Sequence, residues 1–564
     1  MRRRFCCSLL LAGSVACTSP AISAWTPEGV LIDTFRPDTR LIEMVPDGTG
    51  GILAPVLYRP SHNSSEWGTS VSRVTTDGTK LWSWNPWVRF IAPDGAGGAF
   101  GLSGYNTTLR LYHVLANGSN DALYSASGVP VVTMPDEGFT ARLASDESGG
   151  AYVLAAGTAM TVWRYAQGAP APGWPETGVE ILPPAPGPLT TQGYPDFPSV
   201  QMIPDGSNGL IIVASDAGGT RLNGTLKAFR VLPDGSVAWT RFPALTDPAK
   251  SALPMSLIHS GPWFYCLSLA YSDTTELFEI RLQCMSITTG IRRTGWPADG
   301  IPVAQGRPDS LAVAMTSDDG DAVYVAWAVG STLRGVRFTG AGALAPGWPQ
   351  QGIDLLPAGA VPALAMDFSL SSVAAGFAIT ATYDRLITLW TDNRDWTRPA
   401  VLARWLLPDG TVDPAQPVSG RAASPTLSPY GHLLGAMSDG NRGAYVSWSS
   451  APPASNLDSR VTWLSYWTPW VGVSDPIGGS GGASLRAWPN PARDHLELEI
   501  PASPNGPARV ELVDVAGHRV RSAETHGNAQ TVRFDDLDRL PAGVYFLQVT
   551  QGGAARSLRL ALVR

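Results

Sequence analysis

The feature that most constrains this chain is a phrase that recurs. "APGWPETGVEIL" begins at Ala171, "APGWPQQGIDLL" begins at Ala345, and "TGWPADGIPV" begins at Thr294. A motif that carries chemistry is normally needed once, whereas a recurring apolar phrase punctuated by glycine and proline indicates a repeated structural unit. The chain is therefore predicted to be an array of similar units.

A second recurring phrase gives the spacing of the units. Asp-Gly or a related turn, flanked by β-branched and aromatic residues, predicts a tight hairpin whose two turn residues take positive φ. Copies begin at Val45, Ala92, Ser145, Ile203, Ser317 and Ser438, and degenerate copies begin at Ile258 and Asp367. Successive copies lie roughly 47 to 70 residues apart, in the range of propeller blades. Because two of the eight copies are degenerate, both seven and eight blades are compatible with the sequence.

Each unit is predicted to hold four short strands, with the Gly-Trp-Pro phrase at the start of the fourth. Trp174, Trp296 and Trp348 are expected to fill the space between neighbouring sheets. The phrase "WTPEGVLID", which begins at Trp25, resembles a fourth strand but precedes the first unit. It is predicted to complete the last blade and close the ring, although "WTPWVGVS" (467–474) is an alternative source of that strand.

The first residues read as an export signal. Arg2, Arg3 and Arg4 precede a short apolar stretch, and "AISA" ends at Ala24, which predicts a signal peptide over residues 1–24. Lipidation at Cys17 is an alternative reading of "SVAC". The mature chain has no apolar run long enough for a membrane span. A net charge of −7, with 15% charged residues, argues against a nucleic-acid partner.

Two cysteines lie beyond the signal, Cys266 and Cys284, in apolar runs on either side of the polar turn "SDTT". In an exported protein such a pair favours a disulfide across a hairpin.

The end of the chain forms a separate predicted module. Residues 25–474 are assigned to the propeller, 475–484 to a Gly/Ser-rich linker and 485–564 to a small Ig-like β-sandwich of alternating strands. The overall fold class is thus all-β, a seven- or eight-bladed β-propeller followed by the sandwich.

This tail resembles the type A C-terminal sorting domain of type IX (Por) secretion, which is related to the Ig-like domains of flagellar-hook-capping proteins. The resemblance is carried by "PNP", "VDVAGHRV" and "LPAGVYFLQV", and the motif residues are Pro489, Asn490, Pro491, Gly517, Pro541, Gly543, Val544 and Tyr545. It implies handling by the type IX secretion machinery, and a secreted or outer-surface location in a Gram-negative-type bacterium, reached through the periplasm.

The sequence assigns no catalytic, cofactor-binding or metal-binding residue. The seven histidines show no metal-ligand spacing, and neither HExxH nor a phosphate-binding loop is present. The turn aspartates (Asp47, Asp94, Asp205, Asp318 and Asp439) suit Ca²⁺, but turn chemistry alone explains them. We therefore expect a non-catalytic propeller without a cofactor that binds a protein or glycan. The alternative is a secreted hydrolase or lyase with carboxylates from several blades.

Overall fold

The fold is almost entirely β-structure. A computed structural model describes residues 25, 29–36, 39–41, 44–58, 68–103, 108–134, 140–157, 159–182, 200–215, 225–241, 251–272, 277–306, 311–318, 321–329, 331–362, 376–382, 385–395, 397–413, 417, 419–428, 431–438, 443–450, 460–467, 486–488, 492–499, 508–514, 519–525, 531–541, 543–551 and 554–562. Within these ranges the helical segments are two 3₁₀ turns, Ala122–Tyr124 and Leu537–Arg539. None of the helical segments within these ranges has the length and apolar character needed to span a bilayer.

The described residues of the propeller region form eight antiparallel sheets of four or five strands, numbered here in chain order. Sheet one holds Thr39–Leu41, Val45–Pro46, Ile52–Tyr58, Gly68–Val74 and Lys80–Trp84. Sheet two holds Phe90–Pro93, Ala99–Leu102, Thr108–Val114 and Val129–Thr133. Sheet three holds Thr140–Ser145, Ala151–Ala156, Met160–Ala166, Ala169–Pro170 and Val179–Leu182. Sheet four holds Val200–Pro204, Leu210–Ser215, Leu226–Val231 and Val237–Arg241.

The remaining sheets follow the same hairpin order. Sheet five holds Ser251–Ser260, Trp263–Ser272, Leu277–Ser286 and Ile301–Gly306. Sheet six holds Leu311–Ser317, Val323–Val329, Thr332–Phe338 and Ile353–Asp354. Sheet seven holds Phe377–Thr382, Arg385–Asp392, Ala400–Leu406 and Arg421–Ala422. Sheet eight holds His432–Ser438, Ala444–Ser450, Arg460–Trp467 and, from the start of the chain, Val30–Arg36. The choice between seven and eight blades stays a prediction. Residues 367–375 of the degenerate copy that begins at Asp367 lie outside the described residues, and its end lies in Phe377–Thr382.

Consecutive sheets pack face to face through shared apolar clusters. One cluster joins sheets five, six and seven, and others join one to two, two to three, three to four and four to five. The first strands of sheets two to seven contact one another in sequence, so they form the inner edge of the array. This arrangement is a β-propeller, in which inner strands surround a central channel.

The ring closes through the N-terminal strand, as the sequence predicted. Val30–Arg36 pairs antiparallel with Arg460–Trp467 and becomes the fourth strand of sheet eight. Ile32 and Leu464 then share an apolar cluster with Ile52 of sheet one. The edge that sheet eight would otherwise expose is covered.

The predicted disulfide between Cys266 and Cys284 is wrong. Cys266 and Cys284 lie on neighbouring strands, but Cys266 is opposite Gln283 and Cys284 is opposite Tyr265. This offset of one residue sends the two thiols to opposite faces of sheet five, because side chains alternate along a strand. Both cysteines are free and buried, and burial raises the pKa of each thiol.

The described residues of the tail form a sandwich of two sheets. One holds Arg486–Trp488, Leu496–Glu499 and Thr531–Phe534; the other holds Arg519–Glu524, Ala508–Asp514, Gly543–Gln551 and Ala554–Leu562. The inner faces of both sheets form one apolar core. The Ig-like assignment stays a prediction.

Packing divides the chain into two compact units, Met1–Met437 with Tyr445–Tyr466, and Ser438–Ala444 with Trp467–Arg564. The predicted boundaries at residue 24 and at 475–484 lie outside the described residues and remain predictions.

Candidate functional site

In sheets one to four and six, the turn that leads into the second strand of the first hairpin is built around one aspartate. In sheet four the Asp205 carboxylate accepts hydrogen bonds from the backbone N–H groups of Ser207 and Gly209, at 2.7 and 2.8 Å. The same two bonds recur at Asp47, Asp94 and Asp146. The carboxylate thus satisfies backbone donors that the turn leaves without a strand partner.

The geometry differs from the hairpin turn that the Asp-Gly signal predicted. Gly206 has a positive φ of 73°, whereas Asp205 does not have one, and the loop closes through the Asp205 N–H donating to the Gly209 carbonyl at 3.0 Å. A Cβ on Gly209 would lie 2.5 Å from the Asp205 carboxylate and 2.8 Å from the Val231 carbonyl. Close approach therefore excludes a side chain at Gly209, whereas sheet six has Ala322 at the corresponding position.

An arginine from the third strand completes most of these turns. Its guanidinium lies 2.8 Å from the aspartate in the pairs Arg73–Asp47, Arg164–Asp146, Arg230–Asp205 and Arg337–Asp318. In each sheet the arginine is opposite the residue six positions after the aspartate. The aspartates are buried, and their charge is neutralised within the sheet that carries them.

These ion pairs account for the turn aspartates without calcium. Asp47, Asp94, Asp205 and Asp318 each use carboxylate oxygens to accept from backbone N–H groups and from a basic side chain. Asp439 lies outside the described residues. Within the described part of the chain, no group of three or more His, Cys, Asp and Glu side chains is arranged to hold a metal ion.

Sheet two departs from this pattern by using a histidine. His113 occupies the arginine position, opposite Phe100, and its ring nitrogens lie 2.8 Å from Asp121 and 3.2 Å from Asp94. Phe100 stacks on the imidazole with ring centroids 4.3 Å apart, and Tyr124 meets it edge-on. Burial alone lowers the pKa of His113, but the hydrogen bonds to Asp94 and Asp121 outweigh burial and raise it.

The arginine and histidine partners were missed in the sequence, although a signal for them exists. Each partner arginine stands one or two residues before the last residue of its strand, in "SRV", "WRYA", "FRV" and "VRF". The separations from the aspartates vary between 18 and 26 residues, because the loop between the second and third strands varies in length. The signal is therefore visible only after the strands have been aligned to the turns.

In the tail, the described motif residues cluster at the start of one strand. Gly543, Val544 and Tyr545 open the strand that pairs with Ala554–Leu562. The Tyr545 side chain is buried, and its hydroxyl donates to the Pro541 carbonyl at 2.8 Å. A tyrosine bonded to the backbone a few residues upstream is typical of Ig-type sandwiches. Pro489, Asn490, Pro491 and Gly517 lie outside the described residues.

Residues 486–561 match the family of secretion system C-terminal sorting domains. The match covers the segment that carries the resemblance noted in the sequence, so that prediction is confirmed. The sorting domain contains both described sheets of the tail sandwich and ends close to the end of the chain. No curated protein matches the chain in sequence.

Solved structures similar to this chain include β-propeller proteins. The β-propeller domain of the trilobed protease from Pyrococcus furiosus matches with a TM-score of 0.36 and 9% identity, covering 67% of this chain and 96% of that domain. A polysaccharide lyase of family PL25, an ulvan lyase, matches with a TM-score of 0.38 and 9% identity, covering 66% and 89%. An acylaminoacyl peptidase from Pyrococcus horikoshii matches with a TM-score of 0.36 and 10% identity, covering 74% of this chain and 58% of the peptidase. Similarity at this level carries no activity to this chain.

Proposed function

We propose that this protein is an exported, non-catalytic propeller that its sorting domain delivers to the cell surface or the medium, where the propeller binds a ligand. The observation that carries the proposal is the family match of residues 486–561. A sorting domain is a delivery signal, so the function outside the cell belongs to the propeller.

The export route follows from the resemblance. The predicted signal peptide over residues 1–24 takes the chain into the periplasm, and the type IX machinery recognises the sorting domain there. The linker predicted at 475–484 transmits little rigidity, which suits a tail that is handled separately from its cargo.

A binding role fits the propeller better than catalysis does. The buried turn carboxylates of sheets one to four and six are held by arginine or histidine and by backbone N–H groups, so they stabilise turns. Such carboxylates are poorly suited to general acid or base work, which requires a group that can reach a substrate.

Deleting residues 485–564 tests the export proposal. In a type IX-competent host we expect the truncated protein to fold but to remain in the periplasm, whereas the full chain reaches the outer surface or the medium. The measurement is immunoblotting of periplasmic, outer-membrane and extracellular fractions. A periplasmic reporter protein fused to residues 485–564 is the matched gain-of-function control, and it should leave the cell. Normal secretion of the truncated chain would make the tail an adhesion or spacer module.

A further inference from the structure

The inner edge of the propeller carries two arginines that differ from those of the ionic turns. Arg142 is the third residue of the first strand of sheet three, and Arg89 immediately precedes the first strand of sheet two. These two strands contact each other. The two arginines therefore meet where sheets two and three border the central channel.

One aromatic ring lies within reach of both side chains. The Arg142 guanidinium carbon is 5.6 Å from the centroid of the Phe90 ring, and the Arg89 guanidinium carbon is 6.0 Å from it. Phe90 and Arg142 are partly buried, whereas Arg89 is exposed. Contact with the ring face orients each guanidinium, and it leaves most of the N–H donors free.

Neither charge is neutralised by a carboxylate in the described part of the chain. Arg142 donates one hydrogen bond, to the Ala141 carbonyl at 2.8 Å. Burial, reinforced by the positive charge of Arg89, lowers the pKa of Arg142 to about 10, so it still carries its charge at neutral pH. Two cations held together without a counter-charge are unfavourable, and an anion between them would relieve that cost.

An exposed aromatic side chain lies close to Arg89 in the chain. Trp87, two residues before Arg89, is 50% exposed, although large apolar side chains are usually buried. The flat, apolar face of a sugar ring packs well on such a ring, and guanidinium groups bind carboxylate or sulfate through paired N–H donors. An acidic peptide would use the arginines but would not require the aromatic surface.

We propose that Arg89, Arg142 and Phe90, together with the exposed Trp87 two residues before Arg89, form a binding site for the carboxylate or sulfate groups of an acidic polysaccharide. This inference rests on the proposed binding function and names its ligand class.

The test uses the secreted, full-length mature chain and four soluble polymers. Polygalacturonate supplies carboxylates, dextran sulfate supplies sulfates, dextran is the neutral control, and poly-L-glutamate represents an acidic peptide. Affinities are measured by isothermal titration calorimetry at low and high salt, because charge-dependent binding weakens as salt increases. We expect polygalacturonate or dextran sulfate to bind, and the preferred polymer identifies the anionic group.

Substitutions localise the binding. Arg89→Gln should weaken it by roughly tenfold or more, since it removes charge-assisted hydrogen bonds from an exposed side chain without disturbing the core. Trp87→Ala should weaken it as well. Arg292→Gln, which removes an exposed arginine of sheet five, is the matched control and should stay within about twofold of the wild type. The affinity of Arg142→Gln is compared with that of the wild type only if the circular dichroism spectrum and the melting temperature of the variant match those of the wild type.

Three results would overturn the site. These are an unchanged affinity in Arg89→Gln, poly-L-glutamate binding as tightly as either polysaccharide, and binding of neither acidic polysaccharide by the folded protein. The export proposal is tested separately, since Arg89→Gln should leave secretion of the chain unchanged.

Discussion

At the scale of single residues, the second sheet contains a pH-sensitive turn. Four other sheets pair the turn aspartate with arginine, which stays charged at every relevant pH. In sheet two the partner is His113, which lies between Asp94 and Asp121. Its pKa is raised in the folded protein. Burial raises the pKa of both carboxyls, but the hydrogen bonds from His113 and from backbone N–H groups, with the charge of His113, together outweigh burial and lower it.

The direction of the pH effect follows from these shifts. A folded-state pKa above the unfolded value means that His113 stabilises the protein fully below its unfolded pKa of about 6.5. That stabilisation is lost as the pH rises through the raised pKa. The two carboxyls affect stability at acidic pH. Because folding lowers their pKa values, the stabilisation that they provide is lost as they become protonated.

We expect His113→Arg to remove the alkaline part of this dependence. The wild type should lose roughly 1 kcal/mol of unfolding free energy between about pH 6 and about pH 9, a figure reduced for solvent screening. His113→Arg recreates the pair of the sister sheets and should lose much less. Urea unfolding at both pH values measures the difference. His259→Gln, at an exposed position, is the control and should show the same change in unfolding free energy between the two pH values as the wild type. An equal change in His113→Arg and the wild type would contradict the role given to His113.

At the scale of elements, a tryptophan links consecutive sheets at most junctions. The indole N–H donates to a carbonyl in the next sheet's turn region, from Trp174 to Pro233, Trp296 to Gly340 and Trp348 to Pro408, each at 2.8 Å. Each of these indoles also packs against a tyrosine of its own sheet. The recurring Gly-Trp-Pro phrase therefore joins the sheets, as the sequence analysis expected.

Trp25 makes the corresponding link at the ring closure. Its indole N–H donates to the Thr76 carbonyl at 2.9 Å, and its ring lies 6.1 Å from that of Tyr445. We expect Trp25→Leu to lower the unfolding free energy by about 1–3 kcal/mol, because it removes the hydrogen bond and part of the packing between sheets eight and one. Thermal melting with limited proteolysis of the N-terminal strand measures the effect. Trp87→Leu removes an equally large but half-exposed side chain and should change melting little; similar losses in both variants would mean that the closure does not depend on Trp25.

At the scale of the whole molecule, the propeller and the sorting domain are predicted to fold independently. Each has its own apolar core, and the core of the tail contains only residues from Ala492 onward. Independent folding would let the secretion machinery act on the tail without unfolding the propeller.

Calorimetry of the mature chain should show two unfolding transitions. Leu547→Ala should shift the transition of the tail alone, and Leu282→Ala should shift that of the propeller alone, each by about 2–4 kcal/mol, because both leucines are fully buried in their own cores. The isolated fragment 25–474 should reproduce the propeller transition. A single transition that both substitutions shift would show that the two units unfold together.

Local sequence patterns were sufficient to predict much of the fold of this protein. The positions of the turns, the Gly-Trp-Pro phrase and the closing strand at Val30–Arg36 are visible in the sequence because each depends on residues close together in the chain. The sorting domain was recognisable because its motif phrases keep their order and spacing, and the family match confirms it.

Tertiary structure decided what depends on pairing between distant residues. A register offset of one residue places Cys266 and Cys284 on opposite faces, and composition does not encode that offset. The pairing of Asp94 with His113, and the meeting of Arg89 with Arg142 at Phe90, likewise require strands or sheets to be aligned in space. The sequence by itself determined which units repeat and where they turn. Only the packed sheets determined which charges are neutralised, because that depends on distances across strands and between sheets.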